Sequence, residues 1–275
     1  MNSSFNILTP GASTSQASLL IELSTQGISY VAINENNTCI ALSVYHFETV
    51  VSYDQLANHL KTIVASQPIL QQPFKKINFV YAFTESVLVP DEFMNVQVNK
   101  EMMELVYGDI SDIITRTDFI SKENLHNVYR VPKQIDSVIA HLFTHAHHCH
   151  LYSLLPNAIK ATGNQLYCIF NAKNITVQLI KDGKLQVIQN FVYKVPEDAA
   201  YHLLNVCERF DVAVNATEVY LNGMINADSN LYKELYKYFL HLSFVALPDN
   251  FTYNEEIKKH PPHYFSNLFQ LAACV

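Results

Sequence analysis

Arginine is scarce in this sequence. Only Arg116, Arg130 and Arg209 occur among 18 basic residues, and no basic run exceeds the pairs Lys75-Lys76 and Lys258-Lys259. Sites for nucleic acid draw on Arg, whose planar fork matches phosphate oxygens. With a formal net charge of −7, the chain is expected to bind no nucleic acid. Glycine is scarce too, and six residues leave few places for backbone to approach a polyphosphate. The five cysteines, Cys39, Cys149, Cys168, Cys207 and Cys274, form no Cys-x-x-Cys pair. They read as small buried hydrophobes in a reducing compartment. A Walker phosphate loop, a Gly-x-Ser-x-Gly elbow and a His-Glu-x-x-His zinc motif are all missing, so none of those chemistries is supported. No apolar run reaches transmembrane length, and Met1 to Gln16 lacks the apolar core of a signal peptide. The expected location is the cytoplasm.

What is present is a folding composition. Hydrophobic residues make up 49% of the 275 and charged residues 16%, with 16 Tyr and 16 Phe supplying much of the bulk. That is enough for one large or two medium domains, each with a real core.

The informative feature is an internal repeat. The first copy opens on the apolar strand Leu19 to Leu23. Ile28 to Ile33 then pairs with Thr38 to Tyr45 as a hairpin. Ser52 and Gln55 form a capping-box pattern, and Leu56, Leu60, Ile63 and Val64 line one helical face before the buried strand Ile77 to Phe83. The second copy runs in the same order. Leu166 to Phe170 is its opening strand, and Ile175 to Lys181 and Lys184 to Phe191 flank the two-residue turn Asp182-Gly183. Pro196 suits a first helical position, ahead of the apolar face Ala200, Leu203, Leu204 and Cys207 and the strand Glu218 to Leu221. A helix over about Asp228 to Leu240 and a strand over Leu242 to Ala246 complete this half.

Between the copies, Asp112 to Phe119 and His126 to Val131 read as strands, Pro132 opens a helix to about His145, and Leu151 to Leu155 reads as a closing strand. A terminal helix carries Phe265, Leu268, Phe269 and Leu271. The reading is therefore two halves, 1–155 and 156–275, with a terminal helix that could pack back on the first. The competing reading is two unrelated α/β pieces.

Strand-strand-strand-helix-strand with a mixed sheet, duplicated, is the pattern of the ribonuclease-H-like, actin-like ATPase fold. Asn127-Val128-Tyr129-Arg130-Val131-Pro132 before a helix, the restart at Gln165 and the ending His263-Tyr264-Phe265 resemble a bacterial domain-of-unknown-function family. Its members look actin-like. The layout is also similar to actin-like cytoplasmic proteins of type IV pilus and type II secretion machines.

The resemblance implies where nucleotide would sit: at the hairpin after the first strand of each half, where active relatives carry Asp, Gly and Ser/Thr for Mg²⁺ and the phosphates. Here Glu22 stands near the Asp position, Ser24 stands where Gly is expected, and Gly27 closes the turn. The second turn has neutral Asn171 and neither Asp nor Gly. The strand that ends in a Gly pair in active relatives keeps one, Gly223. These departures weigh against ATP hydrolysis. Glu22 also reads as a solvent-facing carboxylate at a strand end. A nuclease would need clustered carboxylates, for which Glu22, Glu85 and Asp54 are the candidates.

His141 and His145, four apart, could share a helix face and chelate a metal, with Cys149 as a soft ligand in the stretch His141 to His150. The same residues read more readily as surface histidines at a helix end, bonding free carbonyls. No metal ligand and no catalytic residue is assigned.

The expected function is a non-catalytic interaction or scaffold protein with a protein partner, capable of forming a homodimer and needing no cofactor. One alternative is residual nucleotide binding or weak ATPase activity, with ATP and Mg²⁺ at Glu22, Ser24, Gly27, Asn171 and Gly223. Another is a cytoplasmic scaffold of a pilus or secretion machine.

Overall fold

The computed structural model describes residues 3–160 and 162–275. The chain forms two compact units: Met1–Leu154 with Asp249–Glu256 and Cys274–Val275, and Leu155–Pro248 with Ile257–Ala273.

The first unit opens with β1 (Phe5–Leu8), β2 (Ser18–Ser24), β3 (Gly27–Ile33) and β4 (Cys39–His46), followed by α1 (Tyr53–Ser66). Next come β5 (Lys76–Tyr81), β6 (Ser86–Pro90), α2 (Val96–Tyr107), β7 (Ile113–Ile120) and β8 (Leu125–Pro132). The unit ends through α3 (Lys133–Leu142), β9 (His147–His150) and α4 (Leu151–Ala158), within which the boundary falls. The main sheet has the order β1-β4-β3-β2-β5-β9. β2, β3 and β4 are antiparallel neighbours, and β5 lies parallel to β2.

Alternation decides which face is the core. Leu19, Ile21 and Leu23 of β2, Ile28 and Tyr30 of β3 and Phe79 of β5 share one cluster with Leu56, Leu60 and Ile63 of α1 and Ile135 and Ile139 of α3. The α1 capping box forms as expected. Gln55 N donates to Ser52 Oγ at 3.2 Å, and Ser52 N donates to Gln55 Oε1 at 2.9 Å.

The expected closing strand at Leu151 to Leu155 is instead the start of α4, and the parallel partner of β5 is His147–His150. Leu151 to Leu155 is buried throughout, so the run has no periodicity to separate strand from helix.

A separate sheet, β6-β8-β7, follows the first repeat. It is tied to the main sheet by buried polar groups. Asp118 of β7 accepts from Ser153 Oγ (2.6 Å), His150 N (2.8 Å) and Tyr129 OH (3.1 Å). Asn127 Nδ2 donates to Ser153 Oγ at 3.0 Å, and Ser86 Oγ donates to Asn127 Oδ1 at 2.5 Å. An amide in place of the carboxylate would aim a donor at donors. Asp118→Asn is therefore expected to cost about 2 kcal/mol in urea denaturation, and an unchanged midpoint would contradict this role.

The second unit repeats the order with β10 (Gln165–Phe170), β11 (Asn174–Lys181), β12 (Lys184–Val192), α5 (Pro196–Arg209) and β13 (Glu218–Gly223). It adds α6 (Asn230–Tyr236) and β14 (His241–Phe244). The short α7 (Glu255–Lys258) crosses the boundary between units, and α8 (Ser266–Cys274) follows. The sheet order is β12-β11-β10-β13-β14, with β13 parallel to β10. Asp182 (φ 50°) and Gly183 (φ 74°) make the left-handed two-residue turn that the sequence predicts. Pro196 opens α5, and Asp198 Oδ2 accepts from Lys194 N (2.9 Å) and Val195 N (3.2 Å).

The helix expected over about Asp228 to Leu240 is shorter, at Asn230–Tyr236. The terminal helix falls in the second unit up to Ala273, with Cys274 in the first, and Phe265, Leu268, Phe269 and Leu271 are buried.

Candidate functional site

The two hairpin turns and the end of β13 are the places where the fold could hold a nucleotide. In the first unit the turn is Ser24-Thr25-Gln26-Gly27, with Ser24 paired to Gly27. Ser24 Oγ donates to Gly27 O and accepts from Gln26 N, both at 3.2 Å. The turn is also held from outside, since Gln26 O accepts from Phe47 N at 2.8 Å and Thr25 O from Val51 N at 2.9 Å. Gly27 is required by the sheet, because a Cβ there would stand 2.5 Å from the carbonyl oxygen of Tyr45.

Glu22 lies two residues before this turn, on the face of β2 opposite Leu19, Ile21 and Leu23. It is half-buried. Burial pushes its carboxyl up to about 7, because the charged form loses water without gaining a partner. No hydrogen bond or ion pair to this carboxylate is found among the described residues. It is not the solvent-facing strand-end carboxylate of the simplest sequence reading.

In the second unit Asn171 follows β10 and closes on Asn174. Asn171 N donates to Asn174 O at 2.9 Å, and its Nδ2 donates to Asn174 Oδ1 at 2.8 Å. Its carbonyl accepts from Tyr193 OH at 2.7 Å. Gly223 ends β13 opposite Phe170. It has φ +79°, and a Cβ on it would lie 2.3 Å from Phe170 O. Met224 N donates to that same oxygen at 2.7 Å.

The structure thus gathers Glu22, Ser24 and Gly27 at one turn and Asn171 and Gly223 at neighbouring strand ends. Glu85 and Asp54 form no carboxylate cluster. Glu85 accepts from Arg130 Nη1 at 3.3 Å, and Asp54 sits in the first turn of α1.

Sequence reasoning misses a buried polar cluster behind β10 and β13. Tyr167 OH donates to Gln270 Oε1, Asn222 Nδ2 donates to Tyr167 OH, and Ser266 Oγ donates to Asn222 Oδ1. The available signal is Tyr167 and Asn222 standing inside otherwise apolar strands.

The histidine stretch does not present its helix pair, because α3 ends at Leu142, between His141 and His145. His148 Nδ1 bonds Tyr81 OH at 2.7 Å. His150 is fully buried; its Nδ1 accepts from Tyr152 N at 3.1 Å, so Nε2 carries the proton to Phe83 O at 2.9 Å. Burial pushes His150 down to about 4. Among the described residues no group of three or more His, Cys, Asp or Glu is arranged to hold a metal.

His145 lines an open groove of about 540 Å³ with Leu70, Phe74, Ile77 and Phe143. Two of the groove's amides are already committed. Gln71 Nε2 donates to the carbonyls of Val64 and Ala65, and Gln72 Oε1 accepts from Thr14 Oγ1 at 3.0 Å.

Duplicated strand-strand-strand-helix-strand units with parallel closing strands define a protein of the actin-like ATPase fold. The solved structures agree. A Bacteroides thetaiotaomicron protein with an actin-like ATPase fold and unknown function is similar with TM-score 0.77 and 20% identity, covering 95% of this chain and 97% of that one. PilM in the PilM–PilN type IV pilus biogenesis complex has TM-score 0.62 and 12% identity over 94% and 98%. The ethanolamine utilization protein EutJ from Carboxydothermus hydrogenoformans has 0.53 and 10% over 98% and 93%. No curated protein sequence matches. Residues 9–242 match the family described as protein of unknown function, DUF3822, and the chain belongs to that family. Among the described residues no helix is long and apolar enough to cross a membrane.

Proposed function

We propose that this chain acts by binding a protein partner, on an actin-like scaffold whose nucleotide turns are closed by the chain itself. The observation that carries this reading is how the turn donors are used. The backbone N–H groups of Gln26, Asn171 and Met224 bond Ser24 Oγ, Asn174 O and Phe170 O. A polyphosphate needs such donors free, and Mg²⁺ needs charged oxygen ligands. Glu22 is half-neutral near pH 7, and Asn171 is bound to Asn174. These residues do not fit Mg²⁺–ATP, and no catalytic role is assigned to any of them.

The likeness to PilM, solved in complex with PilN, supports partner binding as a use of this fold. A scaffold within a pilus or secretion machine is the narrower form of the same reading. Burial raises all five free thiols, Cys39 and Cys149 to about 12. Thiols held protonated in this way are poor nucleophiles, which supports a packing rather than a catalytic role for these cysteines.

The test is thermal unfolding with ATP and Mg²⁺, with ADP and a chelator as controls. A ligand at about 100 times its Kd adds about 2.7 kcal/mol, a rise of about 5–10 °C for a chain of this size. No rise is expected at millimolar nucleotide. A nucleotide-specific rise would overturn the reading in favour of a surviving ATP site.

A further inference from the structure

Helix α2 packs Met103 inward with Val89 and Val128, but it also buries Asn99 and leaves large apolar side chains outside. Asn99 and Met103 point inward, at 3% and 0% exposure, while Leu105 stands 87% exposed. Val98 and Leu105 are seven residues apart and so share one outer face, and both are exposed. Phe93, just before the helix, and Ile110, just after it, are exposed as well. Val106 is exposed too, and a monomer gains nothing from wetting five large apolar side chains within one short segment, whereas a binding surface does.

The surroundings specify the occupant. Residues 91–112 hold Asp91, Glu92, Glu101, Glu104, Asp109 and Asp112 against a single basic residue of their own, Lys100. Asp91 lies 2.7 Å from His126 Nε2 and Asp112 3.5 Å from Lys133 Nζ, which leaves Glu92, Glu101, Glu104 and Asp109 to form the rim. Lys100 itself leans on Glu104 at 3.6 Å. This segment alone supplies most of the chain's excess negative charge. A second copy would set one acidic rim against another. An anionic lipid surface or a nucleic acid would be repelled in the same way. A cationic protein segment meets both features, with apolar anchors against Val98 and Leu105 and Lys or Arg against the rim.

We propose that the outer face of α2, between Phe93 and Ile110, is a docking surface for a basic amphipathic helix of a partner protein. The proposal rests on the partner-binding reading above and names the partner's chemistry.

The probe is a fluorescein-labelled Leu/Lys peptide of about five helical turns, with Leu at i, i+3, i+4 and i+7. A Leu/Glu counterpart and a scrambled Leu/Lys peptide serve as controls, and binding to the full chain is read by anisotropy. The basic helix is expected to bind saturably, more weakly as salt rises, and the Leu/Glu peptide not to bind. Val98→Ser with Leu105→Ser should melt like the wild type, because both side chains are exposed. That pair should weaken binding about tenfold or more. Hydrogen exchange should show peptide protection confined to residues 93–110.

Saturable binding that the double variant leaves unchanged, or protection elsewhere, would overturn the α2 surface while leaving the partner-binding reading standing. So would equal binding of the scrambled peptide, or no saturable binding of the basic helix. Self-association or anionic-vesicle binding that the double variant abolishes would also overturn it, by naming a different occupant.

Discussion

Gly223→Ala is expected to lower the melting temperature by on the order of 10 °C, from a loss of about 4 kcal/mol. Two costs combine. The residue has φ +79°, which an L side chain tolerates poorly, and its Cβ would stand 2.3 Å from Phe170 O and 3.2 Å from Phe170 C and N. Those atoms belong to the backbone of the central strand β10, so no side chain can swing aside. Positive φ contributes about 1–3 kcal/mol and overpacking about 1–3 kcal/mol. Gly163→Ala separates the two, since Gly163 has φ +58° and open space around it. It should lose only about 1 kcal/mol. The comparison bears on function, because a glycine kept for a nucleotide would show its cost in ligand affinity. Gly223 is needed to let β13 end against β10. A Gly223→Ala protein that melts like the wild type would return the residue to the ligand account.

Sequence pattern carried much of the architecture because local chemistry and global fold agree in both repeats. Asp182-Gly183 can be little but a tight hairpin turn, and Ser52 with Gln55 marks a helix start whatever lies behind it. Where the two levels part, the reading fails for identifiable reasons. Leu151 to Leu155 is buried on every side, so its apolar run hides a helix. Helix α2 is masked because Val98, Leu105 and Val106 face outward while Asn99 faces inward beside Met103, which blurs the amphipathic signal. Strand β1 is only four residues long and largely exposed apart from Ile7.

The candidate site was legible as positions but not as chemistry. That Ser24 and Asn171 stand at turns follows from strand spacing. That their hydrogen bonds are spent within those turns depends on register and side-chain direction, which no motif encodes. The same holds for Asn222, whose amide is turned toward Tyr167 and Ser266 by packing of α8.

Glu22→Gln is expected to stabilise the protein at pH 8 by up to about 3 kcal/mol and to change little near pH 4.5. The sign follows from proton uptake. Glu22 holds its proton to about pH 7 in the fold against an ordinary 4.5. Between those values the folded chain binds a proton the unfolded chain has lost, so this group makes stability fall as pH rises. His150 does the reverse. It titrates at about 4 in the fold against an ordinary 6.5, so the unfolded chain binds the extra proton and stability rises with pH across that window. Burial pushes His46, His148 and His263 the same way as His150, and Asp118 the same way as Glu22. Glu22 and His150 nearly cancel in the wild type, and the glutamine variant should unmask the histidine slope. Its melting temperature should climb from pH 4 to 6.5 and draw ahead of the wild type between about pH 4.5 and 7, with the gap constant above that. Parallel wild-type and variant profiles across the range would mean that Glu22 is hydrated rather than buried. The same pair of proteins tests the nucleotide turn. If Mg²⁺ drew on Glu22, the cation would hold the carboxylate charged and stabilise the wild type at pH 8 but not Glu22→Gln. Equal responses of the two proteins to Mg²⁺ and ATP are expected, because a carboxylate without hydrogen-bonding support, beside a turn whose donors are already bonded, is poorly equipped to fix a hydrated cation.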